Sequence, residues 1–335
     1  MAAASSVTRY WAMTIIVLCL LYWTIRLSPR DLWSGSAISE TLRITQAHRS
    51  RPDVASTLQE QVAENVQATA SEQYPVQFPR IIWQTASEHG KEQYADKAQT
   101  WKDIKGFQYN FLSDEEADKF VHDAFASRPA IVRFWEELGL PVLKADFLRY
   151  LTMLAVGGVY SDIDTSCLLH PDKWMPADLD ASSVNAIIGI EYDDTTYKMF
   201  VRPISFCQWT LMAKPGHPIF ETAVQRVMSN LEFLARRRRV TIGELTPDKM
   251  EVLEATGPGM ISDVILQVLQ DQGQNVTWET FKGQKDSKLF GDVLVLPING
   301  FAGSQKHSHA GDPDYGQKYV QHHFGRSWYD PGRAS

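Results

Sequence analysis

Cysteine is scarce: three residues in 335 cannot staple a disulfide-built scaffold. Cys19 lies inside an apolar run, which leaves Cys167 and Cys207 to meet in an oxidising compartment or to remain free core thiols; both stand in apolar settings. The two common glycine cradles for phosphate are missing as well, since there is no G-x-x-x-x-G-K-[ST] loop and no G-x-G-x-x-G after a strand. Internal repeats are absent. Positive charge is in deficit, with 33 Lys and Arg against 40 Asp and Glu and a formal net charge of −7, which argues against nucleic acid as a partner. An anionic ligand such as a diphosphate therefore needs local positive help.

Long apolar runs are also few, and the clearest is short. Residues 10–25 carry no charge between Arg9 and Arg26; as a helix they reach about 24 Å, below the roughly 30 Å of an average hydrocarbon core. Tyr10 and Trp11 at one end and Tyr22 and Trp23 at the other suit the membrane interfaces. No small-x-small cleavage site follows, so residues 10–26 are expected to be an uncleaved anchor suited to a thin early secretory membrane. Residues 1–9 then form a short tail, and 27–74, rich in Ser, Thr, Ala, Gln and Glu, a stem. With 44% hydrophobic and 11% aromatic residues, the remaining 75–330 suffice for one α/β domain.

The most informative stretch is LKADFLRYLTMLAVGGVYSDIDT, residues 143–165. Leu143, Phe147, Leu151 and Leu154 recur at helical spacing, Gly157-Gly158 stops the helix, and Val159-Tyr160 opens a short apolar strand. Asp162 and Asp164 follow as alternate residues of that strand end, so both carboxylates can lean toward one hard cation such as Mg²⁺ or Mn²⁺. Ligands of α/β sheets sit beyond the carboxyl ends of strands. The spacing also occurs at Asp178/Asp180 and Asp312/Asp314, among loop residues and without a preceding apolar run. Asp146 and Arg149, three apart, share a helix face and read either as an ion pair or as contacts to a ligand.

Together these pieces resemble glycosyltransferase family 32, whose signature runs Asp, Arg, then Gly-Gly-x-Tyr-x-Asp-x-Asp. Within it the chain is similar to the fungal initiation-specific α-1,6-mannosyltransferases in PRIIWQT (79–85), residues 141–165, IGIE (188–191), FCQWT and AKPGHP (206–218), TGPG (256–259), GDVLVLPI (291–298) and HHFGRSW (322–328). It departs from the family at Ala86, where a second Trp is common, and at Arg326, where Gly usually stands.

The resemblance implies a GT-A type domain, a Rossmann-like mixed sheet flanked by helices. It implies Mn²⁺ or another divalent cation held by Asp162, Asp164 and His322, and a donor bound by Trp83, Gln84, Asp146, Arg149 and Asp162. It further implies GDP-mannose as donor, an N-glycan mannose 6-hydroxyl as acceptor, retention of configuration, and a single-pass type II Golgi protein with a luminal catalytic domain, with a Golgi mannan-synthesising complex as a further partner. Rival readings are a mannosyltransferase acting on inositol sphingolipid, use of a UDP-sugar, and a non-catalytic subunit of such a complex.

Other features admit two readings from the residues alone. Trp83 is either core or a face for the donor base. Thr256-Gly257-Pro258-Gly259 is a turn whose backbone can approach a phosphate or a sugar, while Glu191, Asp193 and Asp194 follow an apolar stretch as a strand end or a solvated loop. Arg236 to Arg239 is a basic run of the kind that forms a solvated helix face. Asn275-Val276-Thr277 is an N-glycosylation acceptor triplet, in keeping with a luminal domain.

Overall fold

The computed structural model describes residues 74–194 and 202–325. The anchor expected at 10–26, the stem up to residue 73, Arg326 and Trp328 lie outside the described residues.

The described chain holds ten strands and ten α-helices. The strands are β1 (Ile81–Thr85), β2 (Gln108–Leu112), β3 (Gly158–Ser161), β4 (Thr165–Cys167), β5 (Ala186–Tyr192), β6 (Ser205–Phe206), β7 (Thr210–Ala213), β8 (Lys288–Phe290), β9 (Val293–Leu296) and β10 (Val320–His322). The helices are α1 (Glu88–Gln93), α2 (Ala95–Lys102), α3 (Asp114–Ala124), α4 (Pro129–Glu137), α5 (Pro141–Ala155), α6 (Pro218–Arg238), α7 (Lys249–Ala255), α8 (Pro258–Asp271), α9 (Trp278–Phe281) and α10 (Ile298–Ala302).

The main sheet runs β2-β1-β3-β7-β5-β9-β8, with β6 paired to β5 off that path. Pairs β1/β2, β1/β3 and β5/β9 are parallel, whereas β3/β7, β5/β7 and β8/β9 are antiparallel, so the sheet is mixed. A mixed sheet with long covering helices fits the expected GT-A arrangement. Strands β3, β5, β7 and β9 are buried along their whole length, which explains their near-continuous apolar sequences. A separate antiparallel pair, β4 with β10, carries the chain's C-terminal region back to the middle of the sheet.

The junction between α5 and β3 positions everything that follows. Gly157 and Gly158 both have positive φ, +73° and +91°, and a Cβ on Gly158 would collide with the Ile81 carbonyl. Pro141 begins α5, the paired glycines end it, and β3 emerges directly beside β1.

A buried histidine and a partly exposed carboxylate meet at the edge where β5 and β9 begin. Asp292 accepts hydrogen bonds from Asn185 Nδ2 and Gln272 Nε2, each at 2.8 Å, and lies 3.3 Å from His217 Nε2. His217 Nδ1 already accepts from the Ile219 N–H, capping α6, so Nε2 carries the ring proton and donates to Asp292. Burial raises the Asp292 carboxyl, but the side-chain hydrogen bonds from His217, Asn185 and Gln272 outweigh it and pull the group down to about 2. A carboxyl depressed on folding stabilises the protein above its unfolded pKa and loses that contribution as pH falls through the folded value. Acid titration of unfolding should show about 2 kcal/mol of stability lost between pH 4 and pH 2 that Asp292→Asn lacks. Identical acid profiles would remove this cluster from the account.

Candidate metal and donor site

Asp162 and Asp164 do not sit on the strand as alternating residues. They sit within a turn between β3 and β4, residues 162–165, that closes when the Thr165 N–H and hydroxyl both donate to the Asp162 carbonyl, at 3.1 and 2.6 Å. Because a strand would have pointed residues two apart to one face at extended spacing, the turn is what folds both carboxylates over one point. Trp101 holds the turn from below, its indole N–H donating to the Thr165 carbonyl at 3.0 Å. Ser161, Thr165 and Thr210 share a chain of buried hydroxyl contacts of 2.7–2.8 Å.

Strand β10 delivers the third group. Ligating atoms of Asp162, Asp164 and His322 all lie within 4.8 Å of one another. His322 Nε2 is 3.1 Å from Asp164 Oδ1, and the Gly325 N–H donates to Asp164 Oδ2 at 2.8 Å. Gly325 belongs at that point, since a Cβ there would strike the Tyr94 hydroxyl. The bond to His322 and the Gly325 amide hold the Asp164 carboxyl below its usual range although burial opposes them. Two carboxylates and one imidazole suit a divalent ion such as Mn²⁺. His322 turns Nε2 toward Asp164, while its Nδ1 is buried without a hydrogen-bond partner. The residues therefore fit a cation.

Beneath this cluster lies a positive group. Arg149 Nη2 is 3.0 Å from Asp146 Oδ1 and 3.4 Å from Asp162 Oδ1, with the three side chains 6%, 3% and 25% exposed. The Arg149 guanidinium also sits 5.3 Å from the centre of the Tyr160 ring, whose hydroxyl donates to Asp162 Oδ1 at 2.8 Å. The other Asp146 oxygen accepts from Thr256 Oγ1 at 2.6 Å, which gives the TGPG turn a defined task. Burial lifts the carboxyls of Asp146 and Asp162, and Arg149 pulls both back. Asp146 and Arg149 thus form a floor that fixes Asp162.

The structure corrects two expected donor contacts. Trp83 is wholly buried, packs on Phe120 and donates its indole N–H to the Gly157 carbonyl at 2.8 Å, so it holds the glycine junction and cannot face a base. Gln84 is equally buried: its amide N–H donates to the Asp162 carbonyl at 3.0 Å and its oxygen accepts from Tyr109 at 2.9 Å, so it supports the turn from inside. Glu191 lies inside β5, 8% exposed, which removes the solvated-loop reading. Its Oε1 accepts from Trp209 Nε1 at 3.3 Å, Oε2 has no partner, and burial raises the carboxyl to about 7 against the pull of the Trp209 N–H. Trp209 and Gly325 were not singled out from the sequence; Trp209 stands inside FCQWT and Gly325 inside HHFGRSW, so only the motif blocks flagged them.

The remaining acidic pairs are structural. Asp180 and Asp312 each accept from the backbone N–H two residues on, of Ser182 and Asp314, as caps of short 3₁₀ turns. His323 meets Ser166 Oγ at 2.9 Å. Cys167 and Cys207 are free thiols.

Fold and site together have the layout of a cation-dependent sugar-transferase domain on a mixed sheet. Residues 84–180 match the model described as "Glycosyltransferase sugar-binding region containing DXD motif". It is similar to the initiation-specific alpha-1,6-mannosyltransferase of Schizosaccharomyces pombe, 34% identical over 263 residues that cover 77% of this chain and 65% of that one. The protein of the same name from Candida albicans is 28% identical over 84% of this chain and 79% of its own. The chain thus spans just under two thirds of the length of the fission-yeast relative. Among solved structures, the PaToxG glycosyltransferase is similar at a TM-score of 0.37 and 14% identity, covering 64% of this chain and 79% of that chain.

Removing one member of a buried ion pair leaves the other charged and unpaired. Arg149→Ala should lower the urea-unfolding free energy by about 3–5 kcal/mol, read by tryptophan fluorescence. A loss under about 0.5 kcal/mol, the range of an ordinary surface change, would contradict the floor assigned to Arg149.

Proposed function

We propose that this chain transfers mannose from GDP-mannose to a mannose 6-hydroxyl of an N-linked glycan, with Mn²⁺ or a similar cation held by Asp162, Asp164 and His322. The observation that carries the reading is the convergence of those three groups over the buried Arg149. The 34% identity to a protein named for this reaction supports the choice of sugar and linkage.

A bound divalent cation would neutralise charge that gathers on the departing diphosphate. The chain's own residues do the rest. Arg149 keeps a fixed positive charge beside Asp162, so the turn's carboxylates stay in one arrangement without mutual repulsion driving them apart. Asp146, 2% exposed with one oxygen toward Arg149 and one toward Thr256, holds that guanidinium in place from below. In the transfer, the bond from the anomeric carbon to the diphosphate oxygen breaks with its electrons on GDP. The acceptor oxygen bonds to that carbon, and its proton passes to the leaving phosphate. An α-linked donor giving an α-1,6 product keeps its configuration.

A Golgi membrane setting, with the domain luminal, completes the proposal. Asn275 is exposed in the loop between α8 and α9, as an N-glycosylated side chain in a luminal domain must be.

The full chain in detergent, given GDP-mannose, Mn²⁺ and a defined N-glycan, should form an α-1,6-linked product. Asp164→Ala should lose at least ~100-fold in rate while remaining folded by circular dichroism, because several kcal/mol of charge stabilisation go with the cation. Parallel incubations with UDP-sugars and with inositol phosphoceramide separate the rivals: transfer from a UDP-sugar or to the lipid alone would replace this donor or acceptor. Undiminished turnover by Asp164→Ala would sink the metal assignment.

A further inference from the structure

The histidine of the cation site is held in an unusual way. A metal-binding histidine ordinarily donates its second ring N–H to a carboxylate or carbonyl, which fixes the plane of the ring. His322 has no such partner among the described residues: Nε2 faces Asp164 and Nδ1 faces no hydrogen-bonding group. Two aromatic rings hold it instead. Trp209 stacks on the imidazole with centroids 4.5 Å apart and planes at 25°, and Phe324 closes the arrangement at 4.1 Å and 52°. An imidazole between rings keeps its plane but can still slide, so the platform itself needs an anchor.

Trp209 has two anchors. Its indole N–H donates to Glu191 Oε1 on β5, and its carbonyl accepts the N–H of Asp162 at 2.8 Å. One buried residue thereby sets the backbone of the first carboxylate and the ring of the histidine together. Resting on the cation-site reading above, we propose that Glu191 and Trp209 are a positioning pair that presents His322 to the divalent cation: Glu191 fixes the indole, the indole fixes the imidazole, and neither touches the ion. The pair replaces the missing hydrogen bond to the second ring nitrogen. It also explains why a carboxylic acid is kept at the buried end of β5, where an apolar side chain would pack without a polar atom left unpartnered.

The test is Mn²⁺ binding by the full chain, with no nucleotide or sugar, followed by the loss of the free-ion electron paramagnetic resonance signal, with melting curves to confirm folding. Trp209→Leu removes the platform and should raise the Mn²⁺ Kd about tenfold, at the lower edge of what supporting residues of metal sites usually give. Trp209→Phe keeps a ring but loses the N–H; it should raise Kd about threefold, and Glu191→Ala should do the same while Glu191→Gln, which keeps an acceptor, stays near wild type. Since the two residues act as one unit, Glu191→Ala should add nothing in the Trp209→Phe background. A folded Trp209→Leu with unchanged Kd, additive losses in the double variant, or a Glu191→Gln as weak as Glu191→Ala would overturn the proposal. If Trp209→Leu fails to fold, Trp209→Phe and the Glu191 pair decide it alone. His322→Ala separates the two readings. Weakened binding there with unaffected Glu191 and Trp209 variants removes only the positioning pair, whereas unchanged binding in His322→Ala removes the site itself.

Discussion

The contact of Arg149 with both Asp146 and Asp162 is the constraint on which the site depends. Three carboxyls gathered at one end of a sheet repel, and two of them are raised by burial toward the neutral form. A buried guanidinium answers this because it cannot lose its proton and offers several donors in one plane. With its charge inside the protein, the outward oxygens of Asp162 and Asp164 remain available for a second positive partner. The floor is therefore charged before any ligand arrives, and the cation completes a balance that is already half made.

Around that contact the fold devotes buried side chains to one four-residue turn. Gln84 and Thr165 converge on the carbonyl of Asp162, Trp101 on that of Thr165, and Trp209 on the N–H of Asp162. Trp83 fixes the glycine junction where helix α5 becomes β3. Most of these groups belong to different strands or helices, so the turn is referenced to the whole sheet and not to its own short backbone. A site that must hold several oxygen atoms at bonding distance of one ion needs this kind of support, since displacement by an ångström removes most of the benefit.

Much of this was legible in the chain itself, unevenly. The apolar spacing of Leu143, Phe147, Leu151 and Leu154 and the double glycine mark helix, stop and strand because those are local properties. The aspartate pair could be seen, but its convergence could not: the alternation of a strand was the simplest reading, and the turn is set by Thr165, Trp101 and Trp209, distant partners that periodicity does not report. Trp83 and Gln84 were misplaced for a related reason. They end a strand that points toward the site, yet which way a side chain faces depends on neighbours in the sheet, and both turn inward to hold backbone carbonyls. His322 came only from the family resemblance, since a lone histidine after a polar loop carries no local signal. Glu191 was visible as an acidic residue ending an apolar stretch, while its bond to Trp209 joins β5 to the bend before β7, which meet only in the folded sheet.

The most direct measurement of the central claim is an anomalous difference map from crystals of the full chain grown with Mn²⁺ and GDP. The account predicts one strong peak bonded to a carboxylate oxygen of Asp162 or Asp164, within reach of the His322 ring and of the diphosphate, with Arg149 still paired to Asp146 underneath. A manganese peak bound elsewhere, with the diphosphate far from this turn, would contradict it.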